Sequence, residues 1–332
     1  MHLIELDVMG KFIHVLMNYR MKKFVIYTIM VGGYDDILQP LVIDDRFDYV
    51  LFSNDFVDAK IGVWQVRPIP LPYGIKANDY KRLSRYPKSH PEEMLAGYEA
   101  SLYLDANIQI VDQWVYDKCV EYAERRVQLA TVHLSTIPHP FAPAARDDIY
   151  EHAYDMCSTL IEHDFDVIVQ CHRLYKLGFQ RHYGLNENNL IFRMHTELMK
   201  KCDEEWWWWI ANYSFRDQFS YMYCLWKYHI QAEYFFPYGI TVRNTPHFKY
   251  IWHTGLSSNN RRTLKGSLGE RIRVKCKNIS SRKYNRYCLH WLFLMKLPYP
   301  VFALNIWTLL VGLINSPVLV YGCIKRKIIK RK

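Results

Sequence analysis

The sequence predicts an α/β fold in which helices flank a central sheet. Four short runs rich in β-branched and aromatic residues, each followed by turn residues, have the composition of buried strands. They are FVIYTIMV (24–31), DYVLFS (48–53), GVWQVR (62–67) and SLYLD (101–105). Residues 113–125 show helical spacing. Half of the 332 residues are hydrophobic, which is enough for one large core and excludes a disordered chain.

The first predicted strand runs into a glycine turn. Gly32 and Gly33 follow the apolar run directly, with Tyr34 and Asp35 behind them. Two successive glycines let a backbone approach a ligand closely, although a plain turn explains them equally well. The pattern is not GxGxxG, so it does not support a dinucleotide fingerprint.

A basic segment separates the third and fourth predicted strands. Arg82, Arg85 and Lys88 recur every third residue within 76–90. On a helix, Arg82 and Arg85 share one face and could grip a diphosphate, with Pro87 ending the helix ahead of Lys88. A solvated basic face is the alternative.

The fourth predicted strand ends at Asp105, and Asn107 lies two residues further on. Ligands of open α/β sheets bind outside the carboxyl ends of the strands, so this pair suggests a metal ion held against a phosphate. Alternatively, Asp105 caps the next turn and Asn107 adopts a left-handed conformation.

The second half of the domain holds several further motifs. We expect a strand at 127–133, a loop at His139-Pro140, a helix from Asp147 to about His163 and a polar loop at Asn186-Glu187-Asn188-Asn189 leading into a strand. That polar loop could contact an acceptor hydroxyl or be a simple turn. Four successive tryptophans, 206–209, must turn some rings outward on any regular element, and an exposed ring is a candidate sugar platform. Asp217 begins a predicted helix, as a cap or as a general base.

The carboxyl terminus is typical of membrane association. Of the formal charge of +10, six units lie in Lys325–Lys332, directly after 28 uncharged residues at 297–324. Ten Lys or Arg residues within 261–286 flank this apolar segment on its other side. We therefore expect an N-terminal extension (1–21, with Met21 as an alternative start), a folded domain (22–257), a basic linker (258–288) and an apolar segment with a polybasic tail (289–332). A segment dipping into the inner leaflet explains both flanks, with a single span and a buried helix as the alternatives.

The remaining composition leads us to expect the folded domain on the cytoplasmic face of a membrane. The first twenty residues lack the apolar core of a signal peptide, and the eight cysteines contain no CxxC pair, as expected of reduced thiols. No interleaved basic and aromatic RNA-binding motif occurs, so we expect no nucleic-acid partner.

Taken together, six motifs in order over about residues 22–255 resemble a glycosyltransferase-like family of bacteria and plants named for turgor-regulation and seed-mucilage proteins. The motifs are Tyr27-Thr28…Gly32-Gly33-Tyr34-Asp35, Arg82-x-x-Arg85-x-x-Lys88 with His90-Pro91, Tyr103-Leu104-Asp105-Ala106-Asn107, His139-Pro140, Tyr150-Glu151 and Arg216-Asp217-Gln218.

The resemblance implies a GT-A-like fold, in which a Rossmann-type mixed sheet binds a nucleotide sugar and an Asp-x-Asp-type motif holds Mn²⁺ or Mg²⁺ on its diphosphate. It implies Asp217 as the catalytic residue, and Asp105, Asn107 and, by looser analogy, His253 as metal ligands. Asn107 replaces a carboxylate, which should weaken metal affinity. The implied donor-binding residues are Tyr27, Thr28, Gly32, Gly33, Tyr34, Asp35, Arg82, Arg85, Lys88, Asp105 and Asn107. As acceptor-binding residues we expect His139, and Asn186 and Glu187 of the polar loop.

The sequence thus favours a membrane-associated transferase that moves sugar from a nucleotide-sugar donor to a glycan or lipid-linked acceptor. The alternative is a non-catalytic glycan- or nucleotide-binding protein of the same fold, with a decayed metal site.

Overall fold

The computed structural model describes residues 23–33, 35–134, 147–150, 152–153 and 165–251. The expectations for the N-terminal extension, Tyr34, His139, His253, the basic linker and the apolar segment therefore lie outside the described residues.

Most of the strands are short, and the helices differ widely in length. The strands are β1 (Phe24–Ile29), β2 (Phe47–Phe52), β3 (Lys60–Ile61), β4 (Trp64–Arg67), β5 (Ala100–Leu104), β6 (Ile108–Ile110), β7 (Leu129–His133), β8 (Asn186–Met194), β9 (Glu233–Tyr234) and β10 (Phe248–Tyr250). The helices are α1 (Tyr80–Leu83), α2 (Pro91–Met94), α3 (Trp114–Glu124), α4 (Phe165–Lys176), α5 (Glu197–Asn212) and α6 (Asp217–Lys227), with a 3₁₀ turn at Pro87–Ser89.

Eight of these strands form one mixed sheet in the order β3-β4-β2-β1-β5-β8-β7-β9. The four strands predicted from composition, β4, β2, β1 and β5, lie side by side and are parallel. β8 runs antiparallel between β5 and β7. The carboxyl ends of β1, β5 and β7 therefore lie at the same sheet edge as the start of β8.

Apolar side chains cover both faces of the sheet, because successive residues of a strand point to opposite sides. Tyr27 and Tyr103 belong to one core cluster, together with Trp206 of α5 and Phe219 of α6. A second cluster joins Tyr116 and Tyr122 of α3 to alternate strand residues, among them Ile26, Leu102 and Phe192. The prediction of a mixed α/β fold is confirmed.

Two local expectations are wrong. The helix of the basic segment is shorter than predicted: α1 ends at Leu83, so Arg85 lies outside it and does not share a helical face with Arg82. Lys88 lies in the separate 3₁₀ turn that Pro87 begins, as predicted. The polar stretch Asn186–Asn189 is not a loop: Asn186 and Glu187 pair with β7, and the same strand continues into Leu190–Met194, which pair with β5. In both cases tertiary contacts override the local propensity.

The four cysteines that the structure describes, at 119, 171, 202 and 224, are buried thiols. No helix in the described ranges combines the length and the hydropathy needed to cross a bilayer.

Candidate functional site

Ion-pairing and orphaned polar groups gather at the sheet edge where β1 and β5 end and β8 begins. Asp105 directly follows β5, and its backbone N–H donates to the Asn189 carbonyl at 3.0 Å. This bond ties the end of β5 to the start of β8. The arrangement presents the Asp105 carboxylate at the edge where ligands of α/β sheets bind.

A buried ion pair forms the centre of this site. The Lys88 Nζ lies 2.6 Å from Asp217 Oδ2, and the two side chains are 4% and 9% exposed. Arg85 approaches the same carboxylate oxygen, with its Nε at 3.7 Å. The contact joins the 3₁₀ turn to the first residue of α6, 129 positions apart in the chain.

Tyr103 connects this ion pair to Asp105. Its hydroxyl donates to Asp105 Oδ1 at 2.6 Å, and the Lys88 ammonium lies 4.6 Å from the centre of its ring. Two carboxylates and two cations thus converge around one tyrosine. A dianionic diphosphate matches such a site, because it can pair with both cations.

Electrostatics in this cluster favour an ionised Asp217. Burial alone would raise the pKa of Asp217, but the adjacent Lys88 and Arg85 outweigh it and hold that pKa below its ordinary value. Burial lowers the pKa of Lys88, and the carboxylates of Asp217 and Asp105 oppose that effect. Asp217 is a weak base for as long as Lys88 remains on it.

Arg82 has a different position from its two basic neighbours. Its Nε donates to the Ile210 carbonyl at 3.0 Å and its Nη2 to the Tyr213 carbonyl at 2.5 Å, while Nη1 pairs with Asp79 at 3.0 Å. A guanidinium on the last carbonyls of a helix satisfies groups that have no partner within the helix. Arg82 therefore fixes α1 to the end of α5, and of the three predicted cations only Arg85 and Lys88 lie at the carboxylate cluster.

The predicted acceptor residues Asn186 and Glu187 are buried at the start of β8. Asn186 Oδ1 accepts from the Tyr234 hydroxyl at 3.2 Å, and Glu187 forms an ion pair with Arg243. Burial raises the pKa of Glu187, as does the nearby Asp105, while Arg243 lowers it. Sequence reasoning missed Arg243, since nothing around it at 240–246 distinguishes it from a surface arginine.

The predicted donor residues on β1 have different surroundings. Tyr27 is fully buried and its hydroxyl accepts from Arg193 at 2.6 Å, so it is part of the core. Thr28 is 3% exposed, and its hydroxyl has no hydrogen-bond partner among the described residues. Gly32 and Gly33 both adopt positive φ, +78° and +57°, in the turn that follows.

That turn is tied to its neighbours. The Gly33 N–H donates to Asp55 Oδ2 at 3.0 Å, and the Asp35 N–H to the Met30 sulfur at 3.4 Å. A Cβ on Gly32 would meet the Tyr80 ring at 3.0 Å. A larger residue at Gly32 would therefore displace Tyr80 as well as strain the backbone.

Two of the three predicted metal ligands are described. Asn107 is 3% exposed; its Nδ2 donates to the Ile251 carbonyl at 2.9 Å, which leaves its Oδ1 buried with no partner in the described part of the chain. An orphaned amide oxygen and the Asp105 carboxylate are the hard oxygen donors that Mg²⁺ and Mn²⁺ take. These residues fit a divalent ion, although no group of three His, Cys, Asp or Glu side chains within the described ranges could hold one without further ligands.

A buried arginine, which the sequence did not predict as part of the site, holds the turn that carries Lys88. Arg193 on β8 is fully buried; it donates to Asp203 of α5 at 2.5 Å, to the Tyr27 hydroxyl at 2.6 Å and to the Lys88 carbonyl at 2.6 Å. One guanidinium thus joins the sheet, a helix and the turn that carries Lys88.

Fold and site together define an α/β protein with a charged, partly unsatisfied polar cluster at the carboxyl edge of its sheet. No family model matches the chain, and no curated protein matches it. Among solved structures, it is similar to S. aureus TarS 1–349 in complex with UDP-GlcNAc, at 10% identity and a TM-score of 0.37, over 82% of this chain and 73% of that one. TarS 1–349 alone gives 10% identity and a TM-score of 0.36, over 89% and 80%. Similarity at this low identity and TM-score supports no conclusion about the function of this chain.

Proposed function

We propose that the protein is a nucleotide-sugar-dependent glycosyltransferase of GT-A-like fold. The observation that carries the proposal is the convergence of Lys88 and Arg85 on Asp217, next to Asp105, at the carboxyl edge of the sheet. The resemblance of the six ordered sequence motifs supports it, because it implies donor binding for Arg85, Lys88 and Asp105 and a catalytic role for Asp217.

The chemistry follows from where charge develops. Breaking a glycosyl–phosphate bond produces an oxocarbenium-like sugar and a diphosphate leaving group that carries additional negative charge. Arg85 and Lys88 supply two cations for that charge in a water-poor setting, where electrostatic interactions are strong. A bound Mg²⁺ or Mn²⁺, held by Asp105 and Asn107, would neutralise further charge on the diphosphate.

Asp217 has a place in this scheme if the reaction inverts the anomeric carbon. An acceptor hydroxyl must lose a proton as it attacks, and a carboxylate within hydrogen-bond reach can accept it. When the diphosphate shares Lys88, the charge that lowers the pKa of Asp217 is partly compensated, so its basicity rises as the donor binds. In a retaining reaction Asp217 would not have this role.

The acceptor and the location are proposed on sequence grounds. The uncharged segment 297–324 and its basic flanks favour the cytoplasmic face of a membrane and an acceptor that is a glycan or lipid-linked, in the synthesis of a cell-surface polysaccharide or glycolipid. Asn186 and Glu187, with Asp105 close to Glu187, would face that acceptor, and His139 is the third residue assigned to it.

A mass-spectrometric screen of donor hydrolysis tests the proposal. The purified chain would be incubated with common UDP-, GDP-, CDP- and dTDP-sugars, with and without Mn²⁺. We expect hydrolysis of at least one donor, abolished in Asp105→Ala and retained in Glu121→Ala, whose partly exposed ion pairs lie on α3. Turnover that is unchanged in Asp105→Ala would show that the assigned centre is wrong.

A non-catalytic binding protein of the same fold is the second candidate. The low pKa of Asp217, which makes it a weak base, favours this alternative. Calorimetry separates the two, because a glycan-binding protein would release no heat with nucleotide sugars, whereas a transferase would bind a donor and turn it over.

A further inference from the structure

A separate groove lies on the surface formed by α4, α5 and α6. Its volume is about 520 Å³, within the range of roughly 300–1,000 Å³ that is usual for small-molecule sites. Its wall includes Trp208, Arg173, Glu204, Glu205 and Lys227. None of these residues belongs to the carboxylate cluster at the sheet edge.

The groove contains an aromatic platform that is held in place. Trp208 is 41% exposed, whereas its neighbours Trp206 and Trp209 are buried at 0% and 2% and anchor this turn of α5 in the core. The Trp209 ring stands nearly perpendicular to that of Trp208, with the centroids 5.1 Å apart. The guanidinium of Arg173 lies 5.5 Å from the Trp208 ring. Burying the apolar face of such a ring on a ligand is favourable, and few rotamers are lost because the ring is already fixed.

Polar groups of both signs surround this platform. Glu205 accepts from Lys227 Nζ at 2.6 Å and from the Tyr228 hydroxyl at 3.0 Å, which orients its carboxylate. Glu204 and Lys201 also line the groove and are exposed. The lining holds three cations, Arg173, Lys201 and Lys227, against the two carboxylates, so its charges nearly cancel and offer little excess charge to a polyanion. An acyl chain would desolvate these charges without pairing them. A sugar chain suits this surface, because its hydroxyls both donate and accept hydrogen bonds and its C–H faces are apolar.

We propose that this groove binds a neutral oligosaccharide, stacked on Trp208 and hydrogen-bonded by the charged side chains around it. The groove shares α5 and α6 with the site: Arg82 docks on the end of α5, and Asp217 begins α6. On the proposed transferase function, the bound oligosaccharide is the acceptor glycan or the growing product, held on the outer face of these helices.

The test is calorimetric binding of three probes, maltohexaose, cellohexaose and chitohexaose, to the full-length chain in detergent. We expect at least one hexasaccharide to bind, and Trp208→Ala to weaken that binding at least tenfold. Trp208→Phe, which keeps an aromatic face, should retain most of it. Tyr73→Ala is the matched control, since Tyr73 is a fully exposed aromatic residue outside the groove.

Two outcomes would overturn the inference: no hexasaccharide binds, or Trp208→Ala binds as well as the natural chain. Thermal unfolding of each variant separates lost binding from lost folding, and Trp208→Phe remains informative if the alanine variant is unstable. Donor hydrolysis, measured in parallel, should be unchanged in the control Tyr73→Ala. Absence of donor turnover in the natural chain contradicts the transferase function but not the groove, whereas loss of sugar binding alone contradicts only the groove.

Discussion

At the residue scale, the pairing of Lys88 with Asp217 decides how the site can work. Both side chains are almost completely buried, so each depends on the other for its charge. The same contact that stabilises the donor-free protein suppresses the basicity that an inverting transfer requires of Asp217. A diphosphate that shares Lys88 would relieve that suppression, which couples donor binding to the readiness of the base.

Asp217→Asn separates these two roles. The substitution leaves Lys88 buried without its partner carboxylate, so we expect the free energy of unfolding to fall by about 3–5 kcal/mol. Transfer to the acceptor should fall by about 10²- to 10⁴-fold, as for the loss of a general base. Donor affinity should not weaken, because Lys88 is released for the diphosphate. Denaturant unfolding, transfer rates and donor calorimetry check the three expectations.

The matched control for that substitution is Asp117→Asn. Asp117 forms an ion pair with Arg46, but its side chain is 59% exposed, so its loss should change stability by less than about 1 kcal/mol. A transfer rate in Asp217→Asn equal to that of the control would contradict the assignment of Asp217 as the base.

His195 should make the free energy of unfolding depend on pH, and the direction of this dependence follows from its pKa. Burial and the charge of Arg193 lower its pKa to about 4 in the folded chain, from about 6.5 when unfolded. The unfolded chain therefore binds more protons between these values, so the stabilising contribution is complete above about pH 6.5 and is lost as the pH falls toward 4. His195→Gln should flatten the fall in stability over this window, as measured by urea unfolding at a series of pH values. An equal fall in both proteins would refute this assignment.

At the element scale, the buried Arg193 explains why the 3₁₀ turn, the sheet and α5 keep one arrangement. Its guanidinium bonds to groups on all three, including the backbone of Lys88. Arg82 acts similarly between α1 and α5. The two arginines fix the position of the segment that carries Arg85 and Lys88. Elements this short do not specify that position by themselves, and neither do their sequences.

Arg193→Met tests this cross-link between elements. It leaves Asp203 buried without its cation, so we expect a loss of about 3–5 kcal/mol in the free energy of unfolding. Adding Asp203→Leu removes the orphaned carboxylate and should restore much of that loss. Donor affinity should be reduced in the single variant and should not recover in the double variant, because the Lys88 carbonyl no longer accepts a hydrogen bond from Arg193. Donor affinity equal to that of the natural chain would contradict a positioning role.

At the scale of the whole molecule, we expect the folded domain and the terminal segment to have different roles. The domain holds the charged cluster and the groove, and residues 289–332 supply the apolar and basic character expected of a membrane attachment.

Removal of 289–332 should therefore move the protein from the membrane to the soluble fraction upon ultracentrifugation. Removal of only 325–332 is the control. Since each basic residue near an anionic surface contributes about 1 kcal/mol, this shorter deletion should weaken attachment and reduce its salt sensitivity without abolishing it. A full-length chain and a 289–332 deletion that fractionate identically would disprove the attachment.

The sequence by itself determined the elements whose pattern of burial is local. The strands β1, β2, β4, β5 and β7 and the helix α3 are found within a few residues of where their composition and periodicity predicted them, because periodicity reports which side chains face a core. The outward ring of the tryptophan run also followed from helix geometry, since four successive side chains cannot share one face.

Only the tertiary structure decided which of these residues meet. Lys88 and Asp217 are 129 positions apart, Arg243 lies 56 positions from Glu187, and Arg193 reaches three other elements. Periodicity identifies a buried face but not its partner, because the partner depends on strand order and on how the helices cross the sheet. For the same reason Asn186–Asn189 is a strand where it resembled a loop: Asn186 and Glu187 pair with β7, which lies more than fifty positions earlier in the chain.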